Sequence, residues 1–205
     1  ILKPLSLSSG KGISMIHINE KDDISTLFQE LLKKVPFIIE ELIVQSDAMS
    51  RLHPQSVNTV RINTILTGKK KTGYEVHILW LFLRMGKNES IVDNAGAGGI
   101  LASIDPKTGI VTTIGYDEAN NQYVSHPNTG ITIKGFEIPR WEEAFNIAKE
   151  LALVVPTNRY IGWDLALTDN GWVMVEGNSN PQINVHQLFD LKGRRKELDQ
   201  LCKLV

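Results

Sequence analysis

The stretch IGWDLALTDNGWVMVEGNSNP, residues 161–181, decides the architecture and points to the chemistry. Two apolar runs flank Thr168-Asp169-Asn170-Gly171, and Asn-Gly between β-type runs marks a tight hairpin. The spacing predicts strands over 159–167 and 172–177. Asp164 interrupts the first run beside Trp163 and Leu165, and Glu176 follows Val173 and Val175 in the second. Charges in such runs are costly unless paired or metal-bound. Glu176 and Asn178 are two apart, so they project from one face. Asp164 lies four residues before the turn and Glu176 five after it, so pairing can bring both onto that face. Two carboxylates and an amide oxygen form a hard-oxygen set suited to Mg²⁺, which keeps waters and completes its shell from phosphates. The competing reading is a strand pair carrying solvated acids.

Outward from this hairpin, strands and helices mix without the regular alternation of a doubly wound sheet. Residues 1–7 and 13–18 read as a hairpin across a Ser/Gly-rich turn, and 37–44 (FIIEELIV) as a buried strand after Pro36. Further strands are expected over 59–67, 74–83, 99–104 and 110–115, with Gly-punctuated turns GKKKTG and DPKTG. Apolar spacing predicts helices over 23–34, with Asp22 or Asp23 as N-cap, and over 140–155. A short polar helix over 192–203 closes the chain. The polar segment 117–130 is expected to be a mobile loop. The class is α+β, dominated by antiparallel sheet.

The 205 residues allow one large domain or two small lobes. With 22 Lys+Arg against 23 Asp+Glu, the balance argues against a dedicated nucleic-acid binder. Cys202 stands alone, which excludes a disulfide framework and makes a reducing cytoplasm the expected compartment. No apolar run approaches the ~20 residues that span a bilayer, and ILKPLSLSSG is no signal peptide. The chain opens without Met on what reads as a strand in progress, so it is expected to be part of a longer protein.

Three more stretches carry candidate chemistry. In LKPLSLSSGKGI, Gly10 and Gly12 let backbone N–H groups approach an anion, and Lys3 and Lys11 supply charge. A simple hairpin turn explains this stretch equally, and the P-loop pattern fails. In FIIEELIVQSD, a strand end could meet an adenine edge and a following carboxylate a ribose; surface carboxylates are the alternative. Arg61 and Arg84 sit in or at the end of apolar strands, where a guanidinium needs an anionic partner. That partner is either a ligand phosphate or carboxylate, or a structural ion pair with Asp93 or Glu75. Lys69–Lys71 read as a solvated turn. His186 lies near Asn178 and could touch substrate, with a satisfied structural histidine as the alternative.

In this order, the K-P strand with its small-residue loop, the E-E-L-I hinge, T-V-R-I, Asn94 with Gly98 and Gly99, and the D…E-x-N hairpin resemble the ATP-grasp superfamily. LHPQSVNTVRI, VDNAGAGGI and EGNSNPQ look closest to the sugar-transfer-associated, or hexapeptide-transferase-associated, ATP-grasp proteins, relatives of glutathione-synthetase-like ligases. The resemblance implies two lobes with largely antiparallel sheets and the nucleotide between them. Residues 1–46 would be part of the small lobe, lacking its N-terminal portion, and 47–205 the large lobe. Lys3 would contact the α/β-phosphates, and Ser8, Ser9, Gly10, Lys11 and Gly12 would close over the β/γ-phosphates. Glu40 and the Leu42 backbone would read adenine, and Asp47 the ribose. Asp164, Glu176 and Asn178 would hold Mg²⁺, with Arg61, Arg84 and Asn94 facing the γ-phosphoryl group and the acceptor. The implied activity is ATP-dependent carboxylate–amine ligation through an acyl phosphate, in cell-surface polysaccharide or amino-sugar modification. Small-molecule carboxylates and amines are the expected partners, with a sugar- or acyl-transferase as a possible associate. A kinase on the same fold, or a non-catalytic nucleotide-binding module, are the alternatives.

Overall fold

The computed structural model describes residues 1–6, 12–33 and 36–203. They form two compact units, Ile1–Ile43 and Val44–Val205.

In the first unit, β1 (Leu2–Pro4) pairs antiparallel with β2 (Phe37–Ile39), Lys3 standing opposite Ile38. The expected hairpin with 13–18 reduces to a single bridge, Leu2 to Ser14. The expected strand 37–44 is likewise shortened, and residues 40–46 have no regular structure. Helix α1 (Ile24–Leu32) starts at Asp23, whose carboxylate accepts from Ser25 N (3.0 Å) and Thr26 N (3.2 Å). Such a cap satisfies two of the first-turn N–H groups that no helical carbonyl can reach.

The second unit begins with a single turn, α2 (Asp47–Ser50), and is organised by a seven-stranded antiparallel sheet. Its strands are β3 (Thr59–Lys69), β4 (Gly73–Met85), β5 (Ile100–Ser103), β6 (Gly115–Tyr116), β7 (Gln122–Tyr123), β8 (Tyr160–Thr168) and β9 (Gly171–Asn178). The spatial order is β7-β6-β5-β4-β3-β8-β9. The expected strand 110–115 survives only as isolated bridges at Ile110 and Val111 and the two residues of β6. Helix α3 (Trp141–Val154) covers one sheet face. Its Ala144, Ala148 and Ala152, four residues apart, are all buried, and their small side chains let the helix axis lie close to the strands. Helix α4 (Arg195–Cys202) ends the described chain.

Strand alternation separates two faces. Val60, Ile62, Leu81, Leu83, Met85, Ile161, Trp163, Leu165 and Leu167 point into the main core with Trp141. Arg61, Asn63, Phe82, Arg84 and Asp164 occupy the opposite parity. A smaller cluster of Phe82, Leu101 and Val185 lies on that second face.

The segment 117–130, expected to be mobile, is tied down. Asp117 is buried and accepts from Asn121 N (2.9 Å), Asn121 Nδ2 (3.0 Å), Tyr123 Oη (2.8 Å) and Lys87 Nζ (3.2 Å). Burial opposes its ionisation, but these donors win and hold the carboxyl well below the usual range. His126, also buried, bonds through Nε2 to Gly86 O at 2.8 Å. Beside it, His53 Nδ1 meets Ser56 Oγ at 2.8 Å, and the two imidazoles stack tilted at 5.3 Å. A Cβ on Gly86 would lie 2.3 Å from Ser56 Oγ and 2.7 Å from His53 Nδ1. Gly86→Ala is therefore expected to cost about 1–3 kcal/mol by overpacking a filled space. Urea denaturation of the variant at neutral pH checks this; an unchanged midpoint contradicts the packing argument.

Candidate active site

The second sheet face brings Arg61, Arg84, Asn94, Asp164, Glu176 and Asn178 into one neighbourhood. Register does most of this. Arg61 stands opposite Asp164 across β3 and β8, Asp164 opposite Glu176 across β8 and β9, and Gly162 opposite Asn178. Glu176 arrives there through a bulge. Between the turn and Asp164 the pairing runs Thr168–Gly171, Leu167–Trp172 and Leu165–Met174, then shifts so that Asp164 meets Glu176. Without the extra residue, Glu176 would share the parity of Trp172, which is buried in the main core. The bulge moves Glu176 and Asn178 to the face of Asp164.

Asp164 is 1% exposed and is the hub. Arg61 Nε bonds its Oδ1, and Arg61 Nη2 its Oδ2 at 2.7 Å. Arg84 Nη1 bonds Oδ2 as well. Burial alone would raise this carboxyl, but the two guanidinium groups hold it below its ordinary value. Arg84 is itself buried, and burial opposes its charge. Asp93 and Asp164 more than compensate and raise it above the ordinary arginine value. Its Nη2 donates to Asp93 Oδ1 at 2.9 Å and to Asn94 Oδ1. Asp93 Oδ2 in turn accepts from Thr59 N at 3.1 Å and from Thr59 Oγ1. Arg84 thus pairs with Asp93, one of the partners open to it in the sequence; neither arginine pairs with Glu75.

Asn94 is presented by a tight turn, Ala95–Ala97, in which Asn94 O accepts from Ala97 N and Gly99 N, both at 3.0 Å. Gly98 has φ +88°, in the region that favours glycine, and a Cβ on Gly99 would approach Asp93 O to 2.4 Å. The two glycines are needed for different reasons, one conformational and one steric.

Glu176 lies close enough to Asp164 for the carboxyls to interact, and Asn178 Nδ2 donates to Glu176 Oε1 at 3.1 Å. Partial desolvation, then the Asp164 neighbour, push Glu176 up. Adjacent carboxyls of this kind are a donor set that a hard divalent cation relieves. Among the described residues no three His, Cys, Asp or Glu side chains cluster as metal ligands, so any such site rests on two carboxylates and the Asn178 amide.

In the first unit, Lys3 Nζ forms an ion pair with Glu40, joining two residues expected to contact nucleotide. Ser8, Ser9, Gly10 and Lys11 lie outside the described residues. Gly12 has φ +74°. Leu42 is exposed, and Asp47, in the second unit, is an exposed first residue of α2.

His186 resolves as a buried structural residue. It packs tilted against Trp80 (4.6 Å between centroids) and edge-on against Phe82 (5.1 Å), and its Nε2 meets Asn63 Nδ2 at 2.8 Å. Burial, then the charges of Arg194 and Arg61, push its imidazole down to about 3. Because the folded value lies below the unfolded value of roughly 6.5, its stabilisation is complete above pH 6.5. It is lost as pH falls below that, by roughly 1.4 kcal/mol per pH unit. We expect unfolding free energy to drop by about 2 kcal/mol from this residue between pH 7 and 5. In His186→Asn that part of the slope should vanish; equal slopes in urea titrations of the two proteins contradict it.

In the sequence Asp93 stands out only as a possible ion-pair partner, and Asn63 does not stand out at all. The usable signal for Asp93 was an acid immediately before Asn94 in an otherwise small and apolar stretch. A buried amide such as Asn63 carries no such mark.

An α+β chain whose antiparallel sheet gathers arginines and carboxylates on one face fits the ATP-grasp class. The chain belongs to the sugar-transfer associated ATP-grasp family, whose model matches residues 1–203. ATP-grasp proteins are in general ATP- and Mg²⁺-dependent ligases or kinases. No curated protein and no solved structure matches the chain. No described helix is long and apolar enough to cross a membrane.

Proposed function

We propose that this protein is an ATP- and Mg²⁺-dependent carboxylate–amine ligase acting on small molecules in cell-surface polysaccharide or amino-sugar modification, in the cytoplasm. The observation that carries the reading is the meeting of Asp164, Glu176 and Asn178 with Arg61 on one sheet face.

In the first unit, Lys3 and the 8–12 loop would bind phosphates, and Glu40 and the Leu42 backbone the adenine; in the second, Asp47 would bind the ribose. Asp164, Glu176 and Asn178 would hold Mg²⁺, which supplies charge neutralisation to the phosphates. Arg61 would orient the acceptor carboxylate against the γ-phosphoryl group. Arg84, buried among Asp93, Asn94 and Asp164, acts as a positioning residue that fixes the Asn94 amide and Asp164. A carboxylate oxygen attacks the γ-phosphorus and ADP leaves. The amine then attacks the acyl phosphate carbon, and the C–O bond to phosphate breaks as the amide forms, with loss of one proton from nitrogen. Positioning and charge dominate such transfers, and no protein nucleophile is needed.

The test is product analysis with a panel of sugar-acid and amino-sugar acceptors. ADP and phosphate released in equal amounts, only when both acceptors are present, support the ligase. A stable phosphorylated acceptor without free phosphate replaces it with a kinase. ATP binding without turnover across the panel replaces it with a nucleotide-binding module.

A further inference from the structure

The two arginines on Asp164 are held very differently. Arg84 is fixed from three sides by Asp164, Asp93 and Asn94, and its side chain is 7% exposed. Arg61 has a 12% exposed side chain, and among the described residues its guanidinium bonds to Asp164 alone, with the Phe82 ring 6.0 Å away. Yet Arg61 takes a lone pair on each Asp164 oxygen. Arg84 takes the second on Oδ2. A carboxylate offers about four such positions, and the Glu176 carboxyl also comes within hydrogen-bonding reach of Asp164, so neither oxygen has a position remote from a guanidinium. A cation ligated there would sit against a guanidinium charge on the same oxygen.

We propose that Arg61 and a divalent cation compete for Asp164, so that cation binding and release of the Arg61 guanidinium toward an anionic substrate are one linked step. This rests on the reading of Asp164, Glu176 and Asn178 as cation ligands. Arg84 stays in place, because Asp93 and Asn94 hold it whether or not Asp164 turns toward the ion. Arg61 has the Phe82 face and the surface to move to, and a freed fork matches a carboxylate or phosphate. By linkage, an anion that captures Arg61 tightens cation binding by the same factor that the cation tightens anion binding. The site would therefore load its anion and its metal together.

The test uses the whole chain, with Mn²⁺ as probe, titrated by calorimetry or by the EPR signal of the free ion. Losing a charge-assisted fork is worth about tenfold or more in an equilibrium constant. Arg61→Met should bind Mn²⁺ at least that much more tightly than wild type. Arg61→Lys, which keeps the charge but not the fork, should fall between them. Wild-type or weaker affinity in either variant overturns the competition while leaving the metal site standing. No Mn²⁺ binding by wild type and Arg61→Met alike overturns it together with the metal reading. Asp164→Ala serves as the control that locates the ion. A second measurement needs no variant: Mg²⁺ should shift the Arg61 Nε–H resonance of the wild-type protein and leave that of Arg84 in place. An unmoved Arg61 signal at saturating Mg²⁺ refutes the exchange.

Discussion

Asp164→Ala should unfold at much lower denaturant than wild type, by about 3–5 kcal/mol, and should show no ATP-dependent turnover. The reason is an imbalance of charge in a dry place. Asp164 is 1% exposed and neutralises two guanidinium groups. Removing it leaves Arg84 with Asp93 and Asn94, and Arg61 with no carboxylate partner among the described residues. Breaking a buried pair costs far more than the pair contributes over apolar residues of the same shape. The combined variant Asp164→Leu and Arg61→Met, which keeps Arg84 paired with Asp93, should accordingly recover part of the lost stability while remaining inactive. Urea midpoints with ADP release as the second readout separate the two roles. Wild-type turnover in Asp164→Ala would exclude the assigned site.

Arg84→Met should cost a similar 3–5 kcal/mol, for the mirror-image reason. Asp93 is buried, and burial pushes its carboxyl up while Arg84 pulls it down. Without Arg84 its donors among the described residues are the Thr59 backbone and hydroxyl. Asn94 simultaneously loses the donor that orients its amide oxygen. Arg84→Lys should recover only part of this, because an ammonium cannot reach Asp93, Asn94 and Asp164 with one planar fork. Arg61→Met, at a more open position, should cost about 1–3 kcal/mol. Equal destabilisation by Arg61→Met and Arg84→Met in urea titrations would contradict this division of labour.

Much of the architecture follows from local pattern. The tight turn at Thr168–Gly171, the amphipathic 141–154 helix and the long β3–β4 hairpin are legible because period-2 and period-3.6 burial leave direct marks. The weaker elements misled for physical reasons. Residues 40–44 look like a strand, and the antiparallel register that sets Leu2 opposite Ile39 carries on to Glu40, whose N–H donates to Ile1 O at 2.9 Å. The 117–130 segment looks mobile because it is polar. Its order comes from Asp117, Lys87, Tyr123 and His126, side chains whose partners are remote or lie off the strands.

The candidate site divides in the same way. That Asp164, Glu176, Arg61 and Arg84 each need a compensating partner is written in residue type and setting, since charge in apolar strands must be compensated. That the chain belongs to an ATP-grasp family follows from the order of its motifs. Three things were decided only by tertiary structure. Asp93, next to Asn94 in the chain, anchors Arg84. The β9 bulge turns Glu176 away from the core and toward Asp164. The Asp164 carboxylate is shared between Arg84, held also by Asp93 and Asn94, and Arg61, which bonds to Asp164 alone among the described residues. Sequence specifies which charges must be neutralised. Which group neutralises which depends on register shifts and burial that no linear spacing encodes.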